Sequence, residues 1–221
     1  MRLLSDSIGR KLVMAITGLL MVLFVVGHLA GNLSIVFGGA NAINTYAEKL
    51  HQLGAVVWLT RVVMGLAVLV HLVISIQITL ENSAANPIKY AVDRSLRATF
   101  ASKNMIWTGL IIGVFIAYHL LHFTIRALPG TVVANDPTGR FDVFGMVTGA
   151  FGSYFTAAIY VAAMVALFLH LSHGIQSTFQ SLGLNNEKSL PTFTGGGKWV
   201  SALFLVGYAS IPALIIAGVI R

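Results

Sequence analysis

Five stretches of this chain stay predominantly apolar for about 20 residues or more, the length a helix needs to cross the hydrocarbon of a bilayer. They run over Leu12–Phe37, Val56–Leu80, Met105–Leu128, Tyr154–Gln180 and Trp199–Ile220. In lipid each backbone N–H and C=O must find its partner within the segment, so single runs of this kind admit only α-helices. The expected fold is all-α: an integral membrane bundle of five transmembrane helices forming one domain over residues 1–221. Composition agrees. Only 10% of the residues are charged, whereas soluble domains carry about 25%. The breaks between runs are marked by Gly and Pro, in "FGGAN", "ENSAANP", "ALPGT" with "NDPTG", and "PTFTGGGK". No internal repeat stands out.

Lys and Arg set the direction of threading. Arg2, Arg10, Lys11, Lys89, Arg94, Arg97, Lys103, Lys188 and Lys198 fall on one side; Lys49, Arg61, Arg126, Arg140 and Arg221 fall on the other. The N-terminus is expected in the cytoplasm and the C-terminus outside. The first apolar run is too long for the core of a signal peptide and reads as a retained helix. An Arg- and Ser-rich transit pattern is missing, so the expected home is a bacterial cytoplasmic membrane. The net charge of +7 follows from this topology and from lipid and partner contacts; it does not call for nucleic acid. Outside, Ala40–Gly54 places Ile43, Tyr46, Ala47, Leu50 and Leu53 at helical spacing and reads as an amphipathic helix along the interface. The basic cytoplasmic loop Glu81–Asn104 reads as a solvated charged loop or as a docking surface for an acidic partner.

Cysteine is absent, which excludes disulfides, c-type haem attachment, thiolate clusters and cysteine nucleophiles. Iron–sulfur or flavin chemistry would have to belong to another subunit. Histidine is the conspicuous residue: seven in all, six of them in "VVGHLAGNL", "VLVHLVISI", "YHLLHFT" and "HLSHGIQ", and His51 in the outer loop. An ionisable group at membrane depth is costly and marks a functional site. At about 1.5 Å per residue from the cytoplasmic end, His28 lies roughly 25 Å up its helix and His119 roughly 22 Å. His71 lies roughly 14 Å and His170 roughly 16 Å from that end. Four helices thus each supply one imidazole, in an outer pair (His28, His119) and an inner pair (His71, His170). Two b haems, each held by two neutral imidazoles from different helices, require this arrangement. Depth alone leaves His122 as an alternative to His119, and His173 as an alternative to His170. Whichever are not ligands could bond a propionate, serve a quinone or support a ligand. Gly27, Gly31 and Gly174 would let a macrocycle approach the backbone; Gly109 and Gly113 read as ordinary close packing. Arg61 is the best-placed propionate partner, ahead of Arg10, Lys11 and Ser75. The spans carry no carboxylate pair for a di-iron centre and no acid to support a serine triad.

The stretches "SIGRKLVMAITGLLM", "GHLAGNL", "VHLVISI", "YHLLHFT" and "HLSHGIQSTFQSLGLNN", in this order, resemble the cytochrome b subunit of the b558 family of succinate:quinone and fumarate:quinone oxidoreductases. The resemblance covers essentially the whole chain. It implies a single five-helix anchor with two haems b, His28 and His119 holding the outer one and His71 and His170 the inner one, and His122 and His173 as non-ligands. It implies two partners on the cytoplasmic face, a flavoprotein bearing FAD and an iron–sulfur subunit. Electrons would pass between these and a quinone, menaquinone, near the outer surface. Related complexes place an acid by the quinone, and Glu48, with His51 nearby, is the one candidate in the first outer loop. Alone, the chain would have no dicarboxylate chemistry. Two other readings are open: the di-haem anchor of a hydrogenase or formate dehydrogenase, and a haem-free transporter using histidines as a proton relay, which would need broken helices or midplane charge.

Overall fold

The computed structural model describes residues 6–85 and 98–221. The chain forms α1 (Ser7–Asn32), α2 (Ser34–Gln52), α3 (Ala55–Ala85), the single turn α4 (Phe100–Lys103), α5 (Met105–His119) continued by a π turn over Leu120–Thr124, α6 (Val143–Phe151), α7 (Tyr154–Ser181) and α8 (Leu190–Ile216). Among the described residues the only β pairing is the isolated bridge between Asn135 and Phe141. Five helices are long and apolar enough to span a membrane: α1, α3, α5 with its π turn, α7 and α8. The protein is an all-α bundle of five such helices.

Their outer faces are what lipid requires. Trp58, Leu59, Leu66 and Leu69 of α3, Leu23 of α1 and Leu203 and Val206 of α8 are all more than half exposed. In water such a surface would aggregate; against acyl chains it has nothing to escape. α7 sits at the centre, packing on α8, α5 and α1. Small residues let backbones close up: a Cβ on Gly197 of α8 would lie 3.3 Å from Ile175 of α7, and one on Gly207 would lie 2.9 Å from Leu29 of α1.

Several boundaries differ from the sequence expectation. The first run is two helices, not one. α1 stops at Asn32, where Asn32 Nδ2 donates to the His28 carbonyl at 2.7 Å and Ser34 Oγ to the Gly31 carbonyl at 2.6 Å. The chain then turns at Gly39, whose φ of 59° suits a residue without a Cβ. From Ala40 onward α2 is the expected interfacial helix. The last span begins at Leu190, nine residues earlier than expected. Gly195–Gly197 does not break it, because Gly197 is used for contact with α7 rather than as a turn. The third span ends four residues early: Ile125 N–H bonds the Leu120 carbonyl at 2.7 Å, closing a π turn, and Arg126 follows with φ 61°.

α6 was not expected at all. It is capped by Asp142, whose carboxylate accepts the Gly145 N–H at 2.9 Å. Its buried face, with Met146, Val147, Ala150 and Phe151, closes the end of the bundle next to α2. Ile35 and Ile43 of α2, Val147 and Phe151 of α6, Ala157 and Tyr160 of α7, and Ile211 and Ile215 of α8 make one core there. A polar clasp locks it. Asn44, 1% exposed, donates to Asp142 at 3.1 Å and Asp136 at 3.3 Å and accepts from Phe144 N–H at 2.9 Å. Arg140 bonds Asp136 at 2.9 Å and reaches Asn41 and Thr45 of α2. At the opposite end Arg10 of α1 grips Glu81 of α3 through two hydrogen bonds, 2.5 and 2.7 Å long. Most of the basic loop expected to dock a partner, with Lys89, Arg94 and Arg97, lies outside the described residues, as does Arg2.

Candidate haem-binding site

The bundle brings the histidines together in two pairs. His28 of α1 faces His119 at the end of α5, with ring centroids 5.8 Å apart and planes crossed at 84°. His71 of α3 faces His170 of α7, with centroids 6.4 Å apart and planes at 64°. These separations suit two imidazoles sharing one metal. With metal–nitrogen bonds of about 2.0–2.1 Å, two imidazoles that shared one metal would have centroids on the order of 6 Å apart, and both pairs lie near that separation.

The two pairs lie at different levels. His71 touches α1 at Thr17, eleven residues before His28. His170 touches α5 at Thr108, eleven residues before His119. Eleven helical residues rise about 16 Å, so α1 and α5 set the same spacing between the levels. α1 and α5 run parallel to each other, and α3 and α7 run against them.

The inner pair is gripped at Nδ1. His71 Nδ1 lies 3.0 Å from the Met14 carbonyl and 3.2 Å from Thr17 Oγ1. His170 Nδ1 lies 3.1 Å from Thr108 Oγ1, with the Met105 backbone as a second partner. A carbonyl only accepts, so Nδ1 carries the hydrogen and the Nε2 lone pair is left for a metal. Glycines follow both threonines: a Cβ on Gly18 would be 3.4 Å from His71 Cε1, and one on Gly109 would be 3.2 Å from His170 Cε1.

The outer pair sits among aromatic rings. His28 stacks on Phe24 at 5.4 Å and lies 6.1 Å from Tyr208, whose hydroxyl donates to the Val25 carbonyl at 2.9 Å. His119 packs on Phe115 and Phe123, and the Tyr160 hydroxyl is 3.5 Å from its Nδ1. That hydroxyl also meets His122 Nδ1 at 3.1 Å. His122 is 6% exposed and stacks on Phe123 at 4.2 Å. It joins the aromatic wall behind His119 rather than facing His28. His173 is half-buried, one turn along α7 from His170.

The remaining candidates stand elsewhere. Arg61 is exposed, its guanidinium 4.9 Å over the Trp58 ring, the posture of a side chain reaching for the interface. Arg10 is engaged by Glu81, Lys11 is exposed, and Ser75 bonds the Leu72 carbonyl of its own helix. Glu48 and His51 are exposed on α2, and His51 Nδ1 is 2.9 Å from the Ala47 carbonyl of the preceding turn. Of the glycines, Gly27 faces open space, but Gly31 is filled by the Tyr46 ring, which leaves no room there for a macrocycle. Gly109, read above as ordinary packing, lies against His170.

Among the described residues no three His, Cys, Asp or Glu side chains converge. The chain matches no family model, no curated protein and no solved structure.

The sequence reading passed over Thr17, Thr108, Tyr160 and Glu81. A signal for the threonines does exist. Met-x-x-Thr-Gly-x9-His occurs twice, from Met14 to His28 and from Met105 to His119. His-Leu-x3-Ile-Gln-x-Thr also occurs twice, from His71 to Thr79 and from His170 to Thr178. The absence of an internal repeat is thus corrected: α1 with α3, and α5 with α7, are two copies of one helix pair. Equivalent positions of the copies form each histidine pair, as for parallel repeats about an axis along the membrane normal.

Proposed function

We propose that this protein is the di-haem membrane anchor and electron conduit of a succinate:quinone or fumarate:quinone oxidoreductase. It would pass electrons between an iron–sulfur partner at the cytoplasmic end and menaquinone near the outer end, in a bacterial cytoplasmic membrane. The observation that carries this reading is the stack of two facing imidazole pairs about 16 Å apart, each drawn from two helices. Haem b, when bound, supplies reversible one-electron chemistry that no side chain of this cysteine-free chain offers.

His71 and His170 would hold the inner group and His28 and His119 the outer one, as neutral imidazoles donating through Nε2. The helices bring the members of each pair face to face. Thr17, Thr108 and the Met14 carbonyl keep the inner rings in the tautomer that can ligate. Phe24 lies against His28, and Phe115, Phe123 and Tyr160 lie against His119. The resemblance in "HLSHGIQSTFQSLGLNN" adds the choice of complex, with a flavoprotein bearing FAD as the dicarboxylate-reacting partner.

A reduced-minus-oxidised spectrum of the purified protein, with haem counted by pyridine haemochrome, tests this. Two b haems per chain are expected. A folded preparation from haem-replete cells that contains none would remove the reading.

A further inference from the structure

The two threonine–glycine steps lie on different helices, yet they meet the two inner histidines in the same way. Thr17 Oγ1 is 2.9 Å from the Val13 carbonyl and 3.0 Å from the Met14 carbonyl, so its hydrogen is spent within α1. Toward His71 it can offer only a lone pair. Thr108 repeats this with the carbonyls of Asn104 and Met105, both at 3.1 Å. Each hydroxyl therefore accepts from an Nδ1–H. Each following glycine leaves space beside the same ring. The outer pair is held otherwise, by stacking on Phe24 and by the Tyr160 hydroxyl at 3.5 Å.

We propose that Thr17–Gly18 and Thr108–Gly109 are a duplicated positioning device for the inner pair, fixing the rotation and tautomer of His71 and His170 and tuning the inner haem alone. This rests on the reading above, that the pairs hold haem. An acceptor on Nδ1–H makes the imidazole a stronger donor and favours the more positively charged, oxidised metal. The device would set the inner potential below the value the same two histidines give without the hydroxyls. Because both copies act on one metal, either threonine should move the same redox component.

The test is a potentiometric titration of both haems in the whole complex, for wild type, Thr17→Val, Thr108→Val, Thr17→Ser and Thr108→Ser, with haem counted in each. His71→Ala identifies the inner component as the one it removes. The expected result is two haems in every threonine variant, an upward shift of the inner component in both valine variants, and wild-type positions in both serine variants. The outer component should stay in place throughout. Unmoved potentials in the valine variants, a shift of the outer component, or a serine variant that shifts as far as valine would overturn the proposal. If a valine variant does not assemble, Thr→Ala removes the hydroxyl with less bulk and is read the same way. A wild-type complex without haem in this chain would instead sink the underlying reading, before any variant is compared.

Discussion

Gly109→Ala separates steric support of the inner pair from general helix packing. A Cβ at this position lands 3.2 Å from His170 Cε1 and 3.7 Å from its Nδ1. Carbon atoms rest at about 3.5–4.0 Å, so the ring must yield by about 0.3 Å or more. Holding a side chain off its rotamer costs about 0.5–1.5 kcal/mol. Replacing a mid-helix glycine by alanine gains about 0.8–1.0 kcal/mol. The two nearly cancel, so thermal stability should change little. If the pairs hold haem as proposed, the effect should appear at the site, where ligands tolerate about 0.5 Å of misplacement. Gly18→Ala is the internal control, because its Cβ meets His71 Cε1 at an ordinary 3.4 Å. The assay is the low-temperature reduced spectrum with haem content, resolved into inner and outer components. Gly109→Ala should broaden or shift the inner component and Gly109→Val should remove it, with the outer haem retained. Gly18→Ala should resemble wild type. An unaltered inner component in Gly109→Val, or equal damage from Gly18→Ala, would refute the argument from ring clearance.

Other substitutions probe the rest of the molecule. His28→Ala and His119→Ala should each remove one and the same haem, and His71→Ala and His170→Ala the other, while His122→Gln and His173→Gln keep two, all read by pyridine haemochrome. Asn44→Ala strips partners from Phe144 N–H, Asp136 and Asp142 at a site 1% exposed. A loss of about 1–3 kcal/mol is expected, seen as a lower melting temperature and faster proteolysis of the outer loop. The Thr138 hydroxyl, then Arg140 and Asn44, hold the Asp136 carboxyl well below the usual carboxylate range. Since the folded value is depressed, its contribution is complete above about pH 5 and is lost as the pH falls through and below about 3.9. Asp136→Asn should lower stability at neutral pH and flatten that acid limb in a thermal-shift series.

The five spans were legible in the sequence because lipid leaves a long apolar run one option, a helix that satisfies its own backbone. The two levels of histidine were legible too, since rise per residue converts position into depth. Lys and Arg asymmetry set only an expected direction of threading. Depth could not decide between His119 and His122, because one helical turn lies within the error of locating a membrane boundary. Packing separated them: the π turn and Tyr160 take His122 into the outer wall, while His119 faces His28. Gly109 and Gly197 show the same limit. A glycine in an apolar run reads alike whether it turns the chain, admits a neighbouring helix or clears a histidine ring, because its role belongs to the atom opposite. Thr17 and Thr108 are polar residues within apolar runs. Only the crossing of α1 on α3 and of α5 on α7 put each hydroxyl beside an imidazole. Sequence sets which groups a helix carries and at what height; the azimuth at which helices meet decides which of those groups touch.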